Sequence, residues 1–262
     1  MNTLKITLLA ICLCLPAASY AFDWSVNELH YQRGPIKSPG FLGGKRSQTD
    51  ILTLEHASGW QYGENFFFAD FLNDNRKDGF NDADLYMEYY GALSLSKMSG
   101  RDVAFGPVRD VSLLGGINYA RDARVLKYLP GIRLSWQVPG FKFLNTDITA
   151  YIDDSRGLDD SRAPKESDSY MIDMNWSLPF SIGQQRFSVQ GHIEYIGSRH
   201  NELGLPVRHW ILAQPQFRWD AGHALFNKAD KFFAGIEYQW WQNKLGADED
   251  EHTVQALAVW RF

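Results

Sequence analysis

Apolar and polar residues alternate with a period of two along most of the chain. In "DLYMEYYGALSLS", Leu85, Met87, Tyr89, Leu93 and Leu95 share one face, while Asp84, Tyr86, Glu88, Tyr90, Ser94 and Ser96 share the other. In "VLKYLPGIRLSWQV", Leu126, Tyr128, Ile132, Leu134 and Trp136 lie opposite Lys127, Arg133, Ser135 and Gln137. The pattern returns in the segments beginning near Phe143, Tyr170, Phe187, Ile211 and Phe232. It ends the chain in "TVQALAVWRF", where Val254, Ala256, Ala258, Trp260 and Phe262 form an unbroken apolar row. A period of two marks a β-strand whose two faces meet different surroundings.

Weaker runs near 24–33, 49–58, 64–72 and 109–121 bring the expected number of strands to about twelve. Soluble sandwich strands usually run ~5–6 residues, and these are roughly twice as long. Tyr128, Trp136, Tyr170, Trp176, Trp219 and Trp240 sit near strand ends, where membrane-interface girdles belong. Only a closed barrel lets a two-faced sheet sit in lipid without unpaired edge groups. The expected fold is therefore all-β, a twelve-stranded antiparallel transmembrane β-barrel, with Phe262 ending a lipid-facing row on the closing strand. Compact turns at Pro139-Gly140 and "FSIGQQ", against the charged "DDSRGLDDSRAPKESD" and "GADEDEH", suggest short connections at one end and long loops at the other.

The N-terminus refines the setting. "MNTLKITLLAICLCLPAASYA" has Lys5, an apolar run and a small-x-small site, the features of a secretory signal peptide over residues 1–21. Residues 22–262 are then a single barrel domain. Removing the leader takes away both cysteines and one of 26 basic residues, leaving 25 against 31 acidic ones, a formal charge of −6. Thiolate chemistry and a basic nucleic-acid footprint are excluded. Outer-membrane lipid and lipopolysaccharide become the expected surroundings.

Parity assigns the barrel interior. Tyr86, Tyr90, Phe143, Tyr151 and Trp241 face inward beside Glu88, Asp147, Glu194, Gln239 and Asn243. Tyr86, Glu88, Tyr90, Phe143, Asp147, Tyr151, Glu194 and Trp241 are the candidate substrate-binding residues. Aromatic faces stack on a base for ~1–3 kcal/mol each, and carboxylates and amides meet ribose hydroxyls. Inward acids (Asp84, Glu88, Asp147, Asp173, Glu194, Glu237) outnumber inward bases (Lys127, Arg133, Arg218, Arg261), which disfavours anionic cargo. No catalytic centre is expected: Ser188 and His192 lie ~13 Å apart along a strand, and "GSRHNELG" departs from the outer-membrane phospholipase pattern. "DNRKDGFND" lacks the order of a calcium loop, so neither cofactor nor dedicated metal site is expected.

"WSVNELHYQRGP", "GENFFFADF", "LYMEYY", "SLSK" and "DVAFGPVRD" occur in that order. Together they resemble the Tsx-like nucleoside-specific channel-forming family, which includes the vibrio outer-membrane proteins called OmpK. The match is closest from Trp24 to about Asp122. The resemblance implies a monomeric outer-membrane barrel with periplasmic termini that passes nucleosides by diffusion and, at its outer loops, serves phages or toxins. One departure stands out: Arg33 runs directly into Gly34-Pro35, where the family's nucleoside channel has an intervening aromatic. The alternatives are a general small-solute pore and a plugged structural or receptor barrel, with "SPGFLGGKRS" folded back inside.

Overall fold

The computed structural model describes residues 22–262 apart from 77 and 161; the expected leader, residues 1–21, lies outside the described residues. The wall consists of β1 (Trp24–Lys37), β2 (Arg46–Trp60), β3 (Gly63–Asp74), β4 (Asp84–Ser94), β5 (Val108–Ala120), β6 (Val125–Trp136), β7 (Phe143–Asp153), β8 (Ser169–Ile182) and β9 (Gln185–Ile196), followed by four further segments. These are β12 (Trp210–Ala213), β13 (Gln216–Trp219), β14 (Phe232–Gln242) and β15 (Glu251–Arg261); β10 (Arg199–His200) and β11 (Pro206–Val207) form a small hairpin outside the wall.

β12 and β13 are one wall strand, because both pair with β9 and β14 in unchanged register across the break at Gln214-Pro215. Pro215 supplies no N–H to the ladder, which is why the strand is interrupted there. Opposite the break Gly191 adopts φ +145°, and a Cβ at that position would come within 2.3 Å of the Gln214 carbonyl oxygen. Counted this way the wall has twelve antiparallel strands, each paired with its neighbours in sequence.

β1 pairs with β15 from Glu28–Arg261 to Arg33–Ala256 and closes the barrel. The close approach at this seam requires Gly34, where a Cβ would meet Gln255 Cγ at 2.6 Å. The chain's last row behaves as the alternation predicts. Thr253, Gln255, Leu257 and Val259 are buried in the lumen, while Val254, Trp260 and Phe262 lie on the outside, Phe262 at 66% exposure. Phe180, Phe187 and Phe217 stack on the outer face near the terminus end, with ring centroids 5.5 and 6.2 Å apart. No helix among the described residues is long and apolar enough to cross a membrane. The crossing elements are strands, with outward faces rich in Leu, Ile, Phe, Tyr and Trp.

The loops depart from the simple short-against-long expectation. At the end where Phe22 and Phe262 lie, 61–62 and 183–184 are tight turns, but 95–107 and 220–231 each carry a short helix, Leu95–Ser99 and Ala221–Phe226. Ser94 Oγ caps the first by accepting from Lys97 N (3.0 Å), and Asp220 Oδ1 caps the second by accepting from His223 N (2.8 Å). At the far end the 121–124 connection is short. "SPGFLGGKRS" stays at the rim, with Phe41 72% exposed and the loop's base tied by Lys37 to Glu249 at 2.9 Å.

Candidate functional site

Side chains that alternate inward from twelve strands fill the lumen in three tiers. At the terminus end, Glu28 accepts from Arg218 (2.8 Å), Arg261 (2.6 Å) and the His30 ring (2.8 Å), and the first three side chains come from β1, β13 and β15. Elsewhere, on β6 and β7, Arg133 binds both oxygens of Asp147 at 2.7 Å. Glu28, His30 and Glu55 have ligating atoms within 4.8 Å of one another. Two guanidinium groups already neutralise Glu28, so an added cation there would meet two positive neighbours; the cluster is an ion-pair network closing the β1–β15 seam.

The middle tier is different. Glu88 accepts from the Tyr86 hydroxyl and from the Tyr90 hydroxyl (2.9 Å). Phe68 packs against Tyr86 with centroids 6.0 Å apart, and Phe66 against Phe68 at 6.1 Å. Across the lumen, His192 on β9 binds Asp173 and Gln214, each at 3.0 Å. Glu194 accepts from Trp210 Nε1 at 3.2 Å. Glu237 gathers Gln32 (2.6 Å), Gln216 (2.7 Å) and Gln255 (3.0 Å), and Thr53 donates to Asp70 at 2.6 Å. Phe66, Phe68, Asp70, Tyr86, Glu88, His192 and Gln214 are only half-buried, so the remaining space in the lumen lies against this tier. Acceptor oxygens there are held mainly by neutral hydroxyls and amides rather than by guanidinium groups.

Toward the far end, Trp210 stands between Tyr151 (6.5 Å) and Trp241 (6.4 Å) in edge-on contacts. Arg199 lies over Trp210 at 4.1 Å and Lys127 over Tyr151 at 5.2 Å. Glu166, carried by the 154–168 loop, bridges Lys127 (2.8 Å) and Arg199 (2.7 Å), while Lys127 also binds Asp153 (2.8 Å) and Lys244 binds Glu251. The loop and the β10–β11 hairpin therefore reach over the mouth. Arg199 Nη2 and Trp241 Nε1 are buried there without a hydrogen-bond partner.

Of the residues read from parity, Tyr86, Glu88 and Tyr90 form one hydrogen-bonded group, and Glu194, Tyr151 and Trp241 are linked to each other through Trp210. Asp147 is engaged by Arg133. Phe143 occupies an inward register position but lies at the terminus-end start of β7, 36% exposed and apart from the others. Parity on the weaker first strands would have added Glu28, His30, Glu55, Phe66, Phe68 and Asp70. In "NFFFADF" aromatics occupy both faces, Phe66 and Phe68 inward with Phe67 and Phe71 outward, and the alternation is masked.

A narrow, closed barrel with a polar and aromatic interior and an apolar exterior defines an outer-membrane channel of the porin kind. The chain belongs to the nucleoside-specific channel-forming protein family, Tsx, which it matches over residues 22–259. It is 22% identical over 220 residues to the outer membrane protein OmpK of Vibrio parahaemolyticus, covering 80% of this chain and 75% of that one. The solved NanC porin shares its fold at a TM-score of 0.51 and 13% identity, over 89% of this chain and all of that chain. So does an outer membrane channel from Pseudomonas putida F1, at a TM-score of 0.50 and 10% identity, over 95% and 99%. The family is one of channels, not of enzymes, and its location is the outer membrane.

Proposed function

We propose that the protein passes nucleosides, or neutral solutes of similar shape, by diffusion as a monomer with its termini in the periplasm. The observation that carries this reading is the middle tier. Phe66, Phe68 and Tyr86 offer aromatic surface beside Glu88 and His192, and these half-buried groups border the free part of the lumen. A base stacks on the aromatics for ~1–3 kcal/mol per ring, and ribose hydroxyls donate to the carboxylates. The aromatics of β3 and β4 supply what is missing between Arg33 and Gly34. An anionic solute would meet an excess of carboxylates, which favours uncharged cargo. Family membership supports the same cargo, and no catalytic step is part of the proposal.

Single-channel current in planar bilayers, with adenosine titrated against glucose and AMP, tests it. Block by adenosine alone is expected. A conductance indifferent to all three solutes would overturn the nucleoside preference and leave a general small-solute pore. The exposed apolar tips Phe41, Leu203 and Leu205 at the far end favour a further role as a landing surface for a phage or toxin; unchanged adsorption after their replacement by serine would remove it.

A further inference from the structure

The outer wall holds a feature that solute passage does not use. Tyr119 on β5 and Leu126 on β6 are cross-strand partners facing away from the lumen, whose inward positions here are Asn118 and Lys127. The outward pairs Ile117–Tyr128 and Leu113–Ile132 continue an exposed apolar track down the wall. Above the track, the 121–124 and 154–168 loops bring Arg121, Arg124, Arg156 and Arg162 around one groove of about 440 Å³, with Tyr119 and Leu126 also lining it.

Three aspartates share the groove, and two of them are engaged: Arg121 Nε lies 3.0 Å from Asp122, and Arg124 Nη1 3.1 Å from Asp160. Arg156 and Arg162 are exposed and have no carboxylate within ion-pair distance among the described residues. Arg121 also lies 4.0 Å from Asp84 behind the groove, so the cationic groups left without an ion-pair partner among the described residues are Arg156 and Arg162, on a chain whose formal charge is −5. A guanidinium fork matches the geometry of a phosphate and binds it through paired N–H donors. The groove also sits where an apolar wall gives way to charged loops, the depth at which a membrane lipid changes from hydrocarbon to headgroup.

We propose that this groove binds the phosphorylated head of an outer-leaflet glycolipid, the lipid A part of lipopolysaccharide, with an acyl chain lying along Tyr119, Leu126 and Tyr128. The two engaged arginines frame the site, and Arg156 and Arg162 contact the phosphate. A free phosphate ion would leave the apolar part of the groove unused. The inference requires only that the far end face outward, and it is independent of what the lumen carries.

Native mass spectrometry of the purified chain in detergent, incubated separately with diphosphoryl lipid A, dephosphorylated lipid A and inorganic phosphate, tests it. Wild-type protein is expected to retain diphosphoryl lipid A. The R156A/R162A variant is expected to lose about tenfold in occupancy, whereas R101A/K142A, which removes the same charge at the other end, is expected to lose none. Both pairs lie in exposed positions outside the wall, so the variants assemble as the parent does. Equal retention by R156A/R162A, equal loss in both variants, equal binding of the dephosphorylated lipid, or displacement by millimolar inorganic phosphate would each overturn the proposal. The adenosine block reads the lumen alone and is unaffected by any of these results.

Discussion

Near the terminus end of the lumen, Glu28 meets two arginines and a histidine; half-way up, Glu88 meets two tyrosine hydroxyls. Both are glutamates projected inward by the same alternation. Glu28 lies in a network whose charges cancel and whose members come from β1, β13 and β15, so its energy goes into holding the seam shut. Removing one partner from such a buried pair strands the other charge and costs about 3–5 kcal/mol. Among the described residues Glu88 has no cation in hydrogen-bond contact, and its partners are groups that a solute hydroxyl could replace. Among lumen charges, then, the useful distinction is whether a carboxylate is answered by an opposite charge or only by exchangeable neutral donors.

The largest expected effect falls on the closed network. Arg218→Ala removes a 2% exposed guanidinium and leaves Glu28 only partly compensated by Arg261, which should lower stability by about 2–4 kcal/mol, less than the full cost of a stranded charge. Urea unfolding in lipid vesicles reads this as a marked fall in midpoint, with adenosine block retained in the folded fraction. A variant as stable as the parent would erase the contrast between the tiers. Glu88→Gln comes next and tests the opposite pole. The amide keeps the shape: its oxygen accepts from one of the Tyr86 and Tyr90 hydroxyls and its NH2 donates to the oxygen of the other, so unfolding should move by less than about 1 kcal/mol. A charge-assisted bond to a ribose hydroxyl, worth about 1.5–3 kcal/mol, is lost, and the adenosine blocking concentration should rise about tenfold or more. Phe68→Ala removes one stacking face and should raise that concentration by about fivefold or more; a normal block in this variant would move the base away from β3.

The walls of the barrel were far more legible than its contents. Parity on β4, β6 to β9, β14 and β15 predicted which side chains turn inward, down to the final row ending at Phe262, because lipid on one side and polar neighbours on the other impose opposite demands on adjacent residues. It failed to distinguish roles inside. Asp147 and Glu88 look alike in sequence, yet Arg133 engages the first from the adjacent strand and none of the lumen's arginines engages the second. Pairing across the lumen links residues some 190 positions apart, as in Arg218 and Glu28, and no local pattern encodes it. Phe66 and Phe68 were hidden for another reason: outward aromatics satisfy lipid as well as inward ones satisfy a solute. Glu166 and Arg199 come from loops, where there is no alternation to read.

The smallest effect sharpens the comparison from outside. Arg33 sits where the family's aromatic is missing and could be supposed to act in its place. Its side chain instead faces outward, 51% exposed, and pairs with Asp50 at 2.9 Å beside the Tyr31 hydroxyl. An exposed pair of this kind contributes about 0–1 kcal/mol. Arg33→Ala should therefore shift the urea midpoint slightly and leave adenosine block unchanged, although it removes the same group as Arg218→Ala. The next inward position is Gly34, which lies against Gln255 too closely to admit a side chain without displacing β15. The absence of an aromatic at this point of β1 is thus tied to how tightly the seam closes, and the proposed stacking surface lies on β3 and β4 instead. Should Arg33→Ala weaken the block as much as Phe68→Ala does, the solute would have to pass close to β1 after all, and the division between a sealing tier and a binding tier would need to be redrawn.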